Sequence, residues 1–313
     1  MCSLIIVDFN TVGITTEYIE RCWQALGKKG AGHVVLVENG STEGVLDSLN
    51  NLYGAHKICN LDGIEQSVYV YETENQTILY CHSGENMGYA RGNNLGMQIA
   101  DAYFADKYYI ISNNDLVFPE ALDLSIATDL FAAHPEIGIL GPQVTTPAGE
   151  HQSPYPWQTG YQRLILFYWK PLIRLVNKIF KRPAPEQQTA TGPCDWIVGC
   201  FVIASAEAMN KVEMFDGNTF LYAEELILSR RLEQAGYQTW YCPEMKVVHQ
   251  HAQTTKKALS ALRTKDINFQ SIYYYYQNYT NTSRFMLGWA KVNYWFHRTA
   301  YLCVHKVCAL FGR

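Results

Sequence analysis

The sequence predicts an α/β fold with a mostly parallel central sheet, helices on both faces and a C-terminal helical extension. Three observations carry this expectation. Short apolar runs of strand length alternate with amphipathic segments of helical period, the pattern of βαβ units. The strand-like runs close on polar residues: Asp8-Phe9-Asn10, Glu38-Asn39-Gly40 and Asn113-Asn114-Asp115. Hydrophobic residues make up 48% of the 313, enough for a substantial core.

Taken in order, 3–9 reads as a buried strand and 16–26 as an amphipathic helix. A second buried strand follows at 33–38, a second helix at 42–52, and a short apolar strand at 108–112. In parallel sheets, ligands bind beyond the carboxyl ends of the strands. Three polar strand ends therefore predict a nucleotide cleft. No G-x-G-x-x-G follows the first strand and no G-K-[ST] occurs, which disfavours a dinucleotide fold and a P-loop. Gly84, Gly88, Gly92 and Gly96 recur every four residues and would line one helix face for close packing. Arg91 on that element has a fork of donors suited to a diphosphate.

Residues 192–206 read as a turn and then a strand. The pair Glu224-Glu225 follows an aromatic turn and starts a helical run that reaches Gly236. Residues 237–242 read as a strand closed by Pro243, with Lys246-Val247-Val248-His249 beyond it. Within 163–182, Lys170, Arg174, Lys178 and Lys181 share one helical face opposite an apolar stripe, and no acidic residue intervenes. The tail 289–313 repeats this pattern with Trp289, Trp295 and Phe296. Basic amphipathic helices with interfacial aromatics predict contact with an anionic membrane surface. Packing on their own domain or on a second subunit, as a homo-oligomer, is the other reading.

A net charge of -4 argues against a general nucleic-acid binder. Nine cysteines without a C-x-x-C pair argue against a zinc ribbon or a disulfide framework, and for a reducing cytoplasmic setting. No secretory leader is read at the start, and no apolar run reaches the roughly 18 residues of a bilayer span.

In sequence order, Ile5 to Asn10, Val35 to Ser41, Asn86-Met87-Gly88-Tyr89-Ala90, Asn113-Asn114-Asp115, Cys194-Asp195-Trp196, Phe220 to Glu225 and Val247-Val248-His249 resemble family-2 glycosyltransferases, nearest the rhamnosyltransferase-like branch. The resemblance covers about 3–252. It implies a GT-A type nucleotide-binding sandwich, a UDP- or dTDP-linked sugar donor, Mg²⁺ or Mn²⁺, inversion at the anomeric carbon, and a saccharide acceptor, lipid-linked or polymeric. The domains would be 1–252 (nucleotide half about 1–118, acceptor half about 119–252, basic insertion 163–182) and a helical 253–313. The setting would be the inner face of the cell membrane.

The resemblance assigns Phe9, Asn10, Glu38, Asn86, Arg91 and Asn114 to the nucleotide or diphosphate. Asp115, Asn113 and His249 would hold the metal. Glu225, with Glu224 as the alternative, would be the base, and Trp196 and Tyr222 would stack on the acceptor sugar. Two positions depart from the family pattern: Asn113 replaces the first aspartate of D-x-D, and Glu225 replaces an aspartate. A neutral oxygen in place of a carboxylate weakens the hold on a hard cation. These departures keep a non-catalytic nucleotide-sugar-binding relative open as an alternative. A sugar nucleotidyltransferase ranks below it, because Asn10 to Thr15 lacks the basic residues expected in that class's first loop.

Overall fold

The computed structural model describes residues 2–26, 31–42, 44–74, 76–169, 187–250 and 260–310. The first half runs β1 (Cys2–Asp8), α1 (Val12–Leu26), β2 (Ala31–Glu38), α2 (Val45–Tyr53), β3 (Lys57–Cys59), β4 (Val68–Glu72), β5 (Thr77–His82), α3 (Gly88–Tyr103) and β6 (Tyr108–Ser112). It continues with β7 (Leu116–Val117), α4 (Leu124–Ala133), β8 (Ile137–Thr145), β9 (Gly192–Cys194), β10 (Phe201–Ser205), α5 (Ala206–Lys211), α6 (Glu224–Gln234) and β11 (Gln238–His249). Two long helices follow, α7 (Ala261–Asn278) and α8 (Arg284–Leu310).

The strands form one mixed sheet in the order β3-β4-β5-β2-β1-β6-β10-β8-β11-β7, with β9 also on β11. The neighbours β5, β2, β1 and β6 are all parallel, so their carboxyl ends open on the same side. Strand β10 runs antiparallel between β6 and β8, and β8 pairs in parallel with β11.

Apolar runs without alternation are what a sheet covered on both faces requires. Leu4, Ile6, Val34 and Leu36 pack on one face with Tyr18, Ile19 and Leu49 of α1 and α2. Ile5, Val35 and Val37 pack on the other with Ala90, Met97 and Ile99 of α3. The glycine repeat sets how close α3 lies. A Cβ at Gly92 would stand 3.0 Å from Val7 Cγ1, and one at Gly96 would stand 2.5 Å from Ile5 Cγ2.

One expected strand end is corrected. Pro243 does not close the last strand, because β11 continues to His249. The register against β8 slips between Cys242 and Lys246, which places the proline in a bulge where its missing N–H breaks no ladder bond. The continuation matters for the site, because it carries His249.

The described residues fall into two compact units, one within Met1–Pro156 and Gln188–Ala258, the other within Trp157–Gln187 and Leu259–Arg313. The first holds the sheet. In the second, Phe269 of α7 stacks on Tyr294 of α8 at 3.9 Å, and Arg298 Nε donates to Asp266 at 3.0 Å. Asn293 accepts from Trp169 Nε1 at 3.0 Å. The basic face expected at 170–182 lies outside the described residues. Among the described residues, no helix is long and apolar enough to cross a membrane.

Candidate active site

The site grows from the carboxyl ends of the parallel strands. Asp8, fully buried at the end of β1, accepts from Thr11 Oγ1 at 2.6 Å, from Ser41 Oγ at 3.3 Å and from the Thr15 hydroxyl. Asn114 Nδ2 joins the same cluster, 2.8 Å from Thr11 Oγ1, 2.6 Å from Thr15 Oγ1 and 3.4 Å from Asp8 Oδ1. The amide of Asn114 is therefore committed to tying the end of β6 to α1. Asn10 takes a left-handed backbone at φ 55°, and its Oδ1 accepts from Thr42 N at 2.9 Å. It braces the loop after β1 against the loop after β2. Phe9 is half-buried at the bend between them.

Glu38 ends β2, buried, with its carboxylate accepting from the Tyr80 hydroxyl and 3.3 Å from His82 Nδ1. Both partners come from β5, whose residue His82 lies directly opposite Glu38 in the parallel register. Burial, then the hydrogen bond to Glu38, raises the pKa of the Tyr80 phenol. The next residue, Asn39, clamps the loop before α3. It accepts from Met87 N at 3.0 Å and donates to Asn86 Oδ1 at 3.2 Å and Gly88 O at 3.1 Å.

That loop meets the acidic turn. Tyr89 N donates to Phe220 O at 3.0 Å. Gly88 has φ +83°, and a Cβ there would stand 2.3 Å from Phe220 O, so no other residue fits without displacing the turn. On the turn itself Tyr222 and Ala223 both hold positive φ, at 75° and 70°. Two consecutive left-handed non-glycine residues store strain of the kind found at active sites. They start α6 with Glu224 buried and Glu225 partly exposed. Burial, then the adjacent Glu225, raises the Glu224 carboxyl well above the ordinary value near 4.5. Its Oε1 is buried with no hydrogen-bond partner among the described residues. The raised Glu224 carboxyl favours its protonated form, and Glu225 is the partly exposed carboxyl of the pair.

Asp115 and His249 meet because β7 pairs antiparallel with β11, placing His249 opposite Leu116. Asp115 Oδ1 lies 3.3 Å from His249 Nε2, while His249 Nδ1 lies 3.3 Å from Gln152 Oε1. With its hydrogen on Nε2 the ring donates to Asp115; with it on Nδ1 the ring donates to Gln152 and turns the Nε2 lone pair toward Asp115, an arrangement suited to a cation shared by the two. A hydrogen-bond acceptor on Nδ1 is the usual companion of a metal-bound histidine. Among the described residues no group of three or more His, Cys, Asp and Glu gathers, so Asp115 and His249 would supply two donors. Asn113, partly exposed at the same turn, stands beside them.

The segment Gly199-Cys200 joins this turn to Glu225. Asn113 N donates to Cys200 O at 2.8 Å, and Gly199 N donates to Glu225 Oε1 at 3.3 Å. Asp115, first, and Glu225 both help raise the Cys200 thiol beyond what burial alone does.

Two predicted residues stand differently. Trp196 stacks on Tyr155 at 4.5 Å and donates to Pro156 O, so its ring is packed against protein. Arg91 is exposed and donates from Nε to Gly217 O at 2.9 Å, beside a cavity of about 360 Å³ that Gln66, Asn94 and Gln98 also line. Asp8, Asn39, Tyr80, His82 and Tyr89 were not assigned from sequence. Asp8 and Asn39 stood in the polar strand ends, and only the β2–β5 register brings in Tyr80 and His82.

The sequence pattern of the family described as Glycosyltransferase (GlcNAc) matches residues 69–282, well over half of the chain. The chain belongs to that family. It is similar to an N-acetylglucosaminyl-diphospho-decaprenol L-rhamnosyltransferase of Mycobacterium tuberculosis, 27% identical over 186 residues, or 55% of this chain and 59% of the relative. Among solved structures it resembles GalNAc-T7 with UDP, GalNAc and Mn²⁺ at a TM-score of 0.58 and 13% identity, covering 89% of this chain and 48% of the other. It also resembles the mannosyltransferase PcManGT of Pyrobaculum calidifontis in complex with GDP-Man and Mn²⁺ at 0.54 and 12%, covering 99% and 80%. The chain thus spans less than two thirds of the rhamnosyltransferase and about half of GalNAc-T7. The likeness establishes the GT-A fold for this glycosyltransferase.

Proposed function

We propose that this glycosyltransferase moves a hexosyl group, with inversion, from a UDP- or dTDP-linked sugar to a hydroxyl of a saccharide acceptor carried on a lipid or polymer. The observation that carries the reading is the Gly199-Cys200 segment, which hydrogen-bonds the Asp115 turn on one side and Glu225 on the other. Leaving group and nucleophile must be served from two sides of one anomeric carbon. The Asp115–His249 pair, with Asn113, would hold Mg²⁺ or Mn²⁺, which when bound stabilises negative charge on the departing diphosphate. Glu225 takes the proton from the acceptor hydroxyl as its oxygen bonds to the anomeric carbon and the carbon–phosphate oxygen bond breaks. With Glu225 acting as a base and not as a nucleophile, transfer is a single displacement at the anomeric carbon, hence inversion. Tyr222, partly exposed on the turn that leads to Glu225, would border the acceptor. The lipid-linked class rests on the rhamnosyltransferase relative, whose name gives N-acetylglucosaminyl-diphospho-decaprenol, a sugar carried on a lipid diphosphate, as the acceptor.

The second compact unit supports a membrane-side location. Phe285, Trp289, Val292 and Phe296 of α8 recur at helical spacing and are 83%, 52%, 59% and 62% exposed. No acidic residue occurs between Arg284 and Leu310. An apolar aromatic stripe with basic flanks suits the interface of an anionic bilayer. Sedimentation with anionic vesicles is expected to pellet the protein, and Trp289→Ser with Phe296→Ser to release it. Equal pelleting of both would place this stripe elsewhere.

The test of the catalytic reading is nucleoside diphosphate release from a panel of UDP- and dTDP-linked sugars, dTDP-rhamnose included, with Mn²⁺ or Mg²⁺. Turnover should vanish with chelator, return with metal, and be lost in Asp115→Ala. Full turnover by Asp115→Ala in chelated, metal-resupplied protein would remove the metal assignment.

A further inference from the structure

Tyr89 stands where three parts of the site meet. Its backbone N–H holds Phe220 O of the acidic turn at 3.0 Å, and its hydroxyl donates to Gly199 O at 2.6 Å. The N–H of the same Gly199 donates to Glu225 Oε1 at 3.3 Å. A Cβ at Gly199 would lie 3.3 Å from the Tyr89 hydroxyl and 3.5 Å from Glu225 Cδ, so this glycine is sandwiched between phenol and carboxylate. The ring is fixed from behind by an edge contact with Phe215 at 5.8 Å. Its backbone is fixed by Asn93 Nδ2, which donates to Tyr89 O at 2.9 Å. Upstream, the Asn86–Gly88 loop is clamped by Asn39 at the end of β2.

We infer that Tyr89 is a positioning residue, holding the Gly199 carbonyl and through it the Gly199 backbone, whose N–H on the other side of the α-carbon orients the Glu225 carboxylate, and so linking the loop that leads off the nucleotide-side strands to the base. The inference rests on the reading of Glu225 as that base. Tyr89 touches no reacting atom. A carboxylate on a short helix-starting turn has several rotamers, and a fixed N–H donor selects one of them. The hydroxyl acts by fixing the peptide that carries the Gly199 carbonyl, which restricts the turn of the chain about Gly199 and so the direction of its N–H. A glycine has more of that φ/ψ freedom to lose than any other residue.

The experiment is a double-mutant cycle on nucleoside diphosphate release from dTDP-rhamnose or UDP-GlcNAc, whichever donor turns over, with Mn²⁺ and water or sugar as acceptor. Tyr89→Phe keeps the ring and its contact with Phe215. It should lower kcat about 10-fold with the donor KM within about 2-fold, the pattern of a group that acts only in the transition state. In a Glu225→Gln background the same change should alter the residual rate less than about 2-fold, because there is no base left to orient. Gly199→Ala approaches the same contact from its other side and should show the same split. Wild-type kcat in Tyr89→Phe beside a crippled Glu225→Gln would overturn the positioning role alone. So would equal losses in both backgrounds. Wild-type turnover in Glu225→Gln would instead overturn the base assignment, and the inference with it.

Discussion

The two carboxylate-bearing ends of this site are built on opposite principles. At the ends of β1 and β2, Asp8 and Glu38 are buried but met by hydroxyls, an amide and an imidazole. At the start of α6, Glu224 is buried with an unpartnered oxygen, on a turn holding two consecutive residues at positive φ. The first arrangement lowers energy locally and fixes loops. The second raises it and persists only because the surrounding fold holds it. Carboxylates satisfied within the protein hold the scaffold, whereas the unpartnered Glu224 sits beside the partly exposed Glu225 on a turn that the surrounding fold keeps strained. The difference separates a region that fixes loops from one that stores energy.

Isosteric amides at the two ends break this comparison most directly. Asp8→Asn replaces an acceptor with a donor facing Thr11, Thr15 and Asn114, and buried donors are left without an acceptor. It should destabilise the fold by about 2–3 kcal/mol, read as a lower midpoint in urea with an unchanged slope. An unchanged midpoint would show that the cluster rearranges at no cost.

Glu224→Gln should act in the other direction and more weakly. A carboxyl whose pKa is raised in the folded state binds a proton that the unfolded chain has already released above about 4.5. Native stability therefore falls as pH rises through and above that value. The amide removes this dependence, so the melting temperature of Glu224→Gln relative to wild type should climb between pH 5 and pH 8. A difference constant over that range would mean that Glu224 titrates alike in both states.

Much of the fold was legible because burial on both faces writes itself as unbroken apolar runs. Ile5 to Val7 and Val34 to Val37 are such runs, and each ended where it was expected to within a residue or two. Residues 57–72 gave a weaker signal, because β3 and β4 lie toward the sheet edge and mix exposed with buried positions, whereas β5 does carry a buried apolar run, Ile78 to Cys81. Pro243 misled for a local reason: a bulge admits proline where a regular ladder would not. At the site, sequence order brought Asp115, His249 and the Glu224–Glu225 pair forward as candidates. It could not show that Asn114 turns inward to Asp8, or that Trp196 packs on Tyr155. Those depend on rotamers and on register between strands far apart in sequence. Nor could it separate Glu224 from Glu225, since the two are adjacent and only burial distinguishes them.

The central claim is that the exposed member of that pair, and not the buried one, is the base. Turnover numbers of Glu225→Gln and Glu224→Gln, measured side by side at saturating donor and Mn²⁺, test it most directly. Glu225→Gln should lose about 10²–10⁴-fold in kcat with little change in donor KM. Glu224→Gln, which leaves the partly exposed carboxyl of Glu225 in place, should stay within about 10-fold of wild type. A crippled Glu224→Gln beside an active Glu225→Gln would contradict the account and move the base to the buried carboxyl.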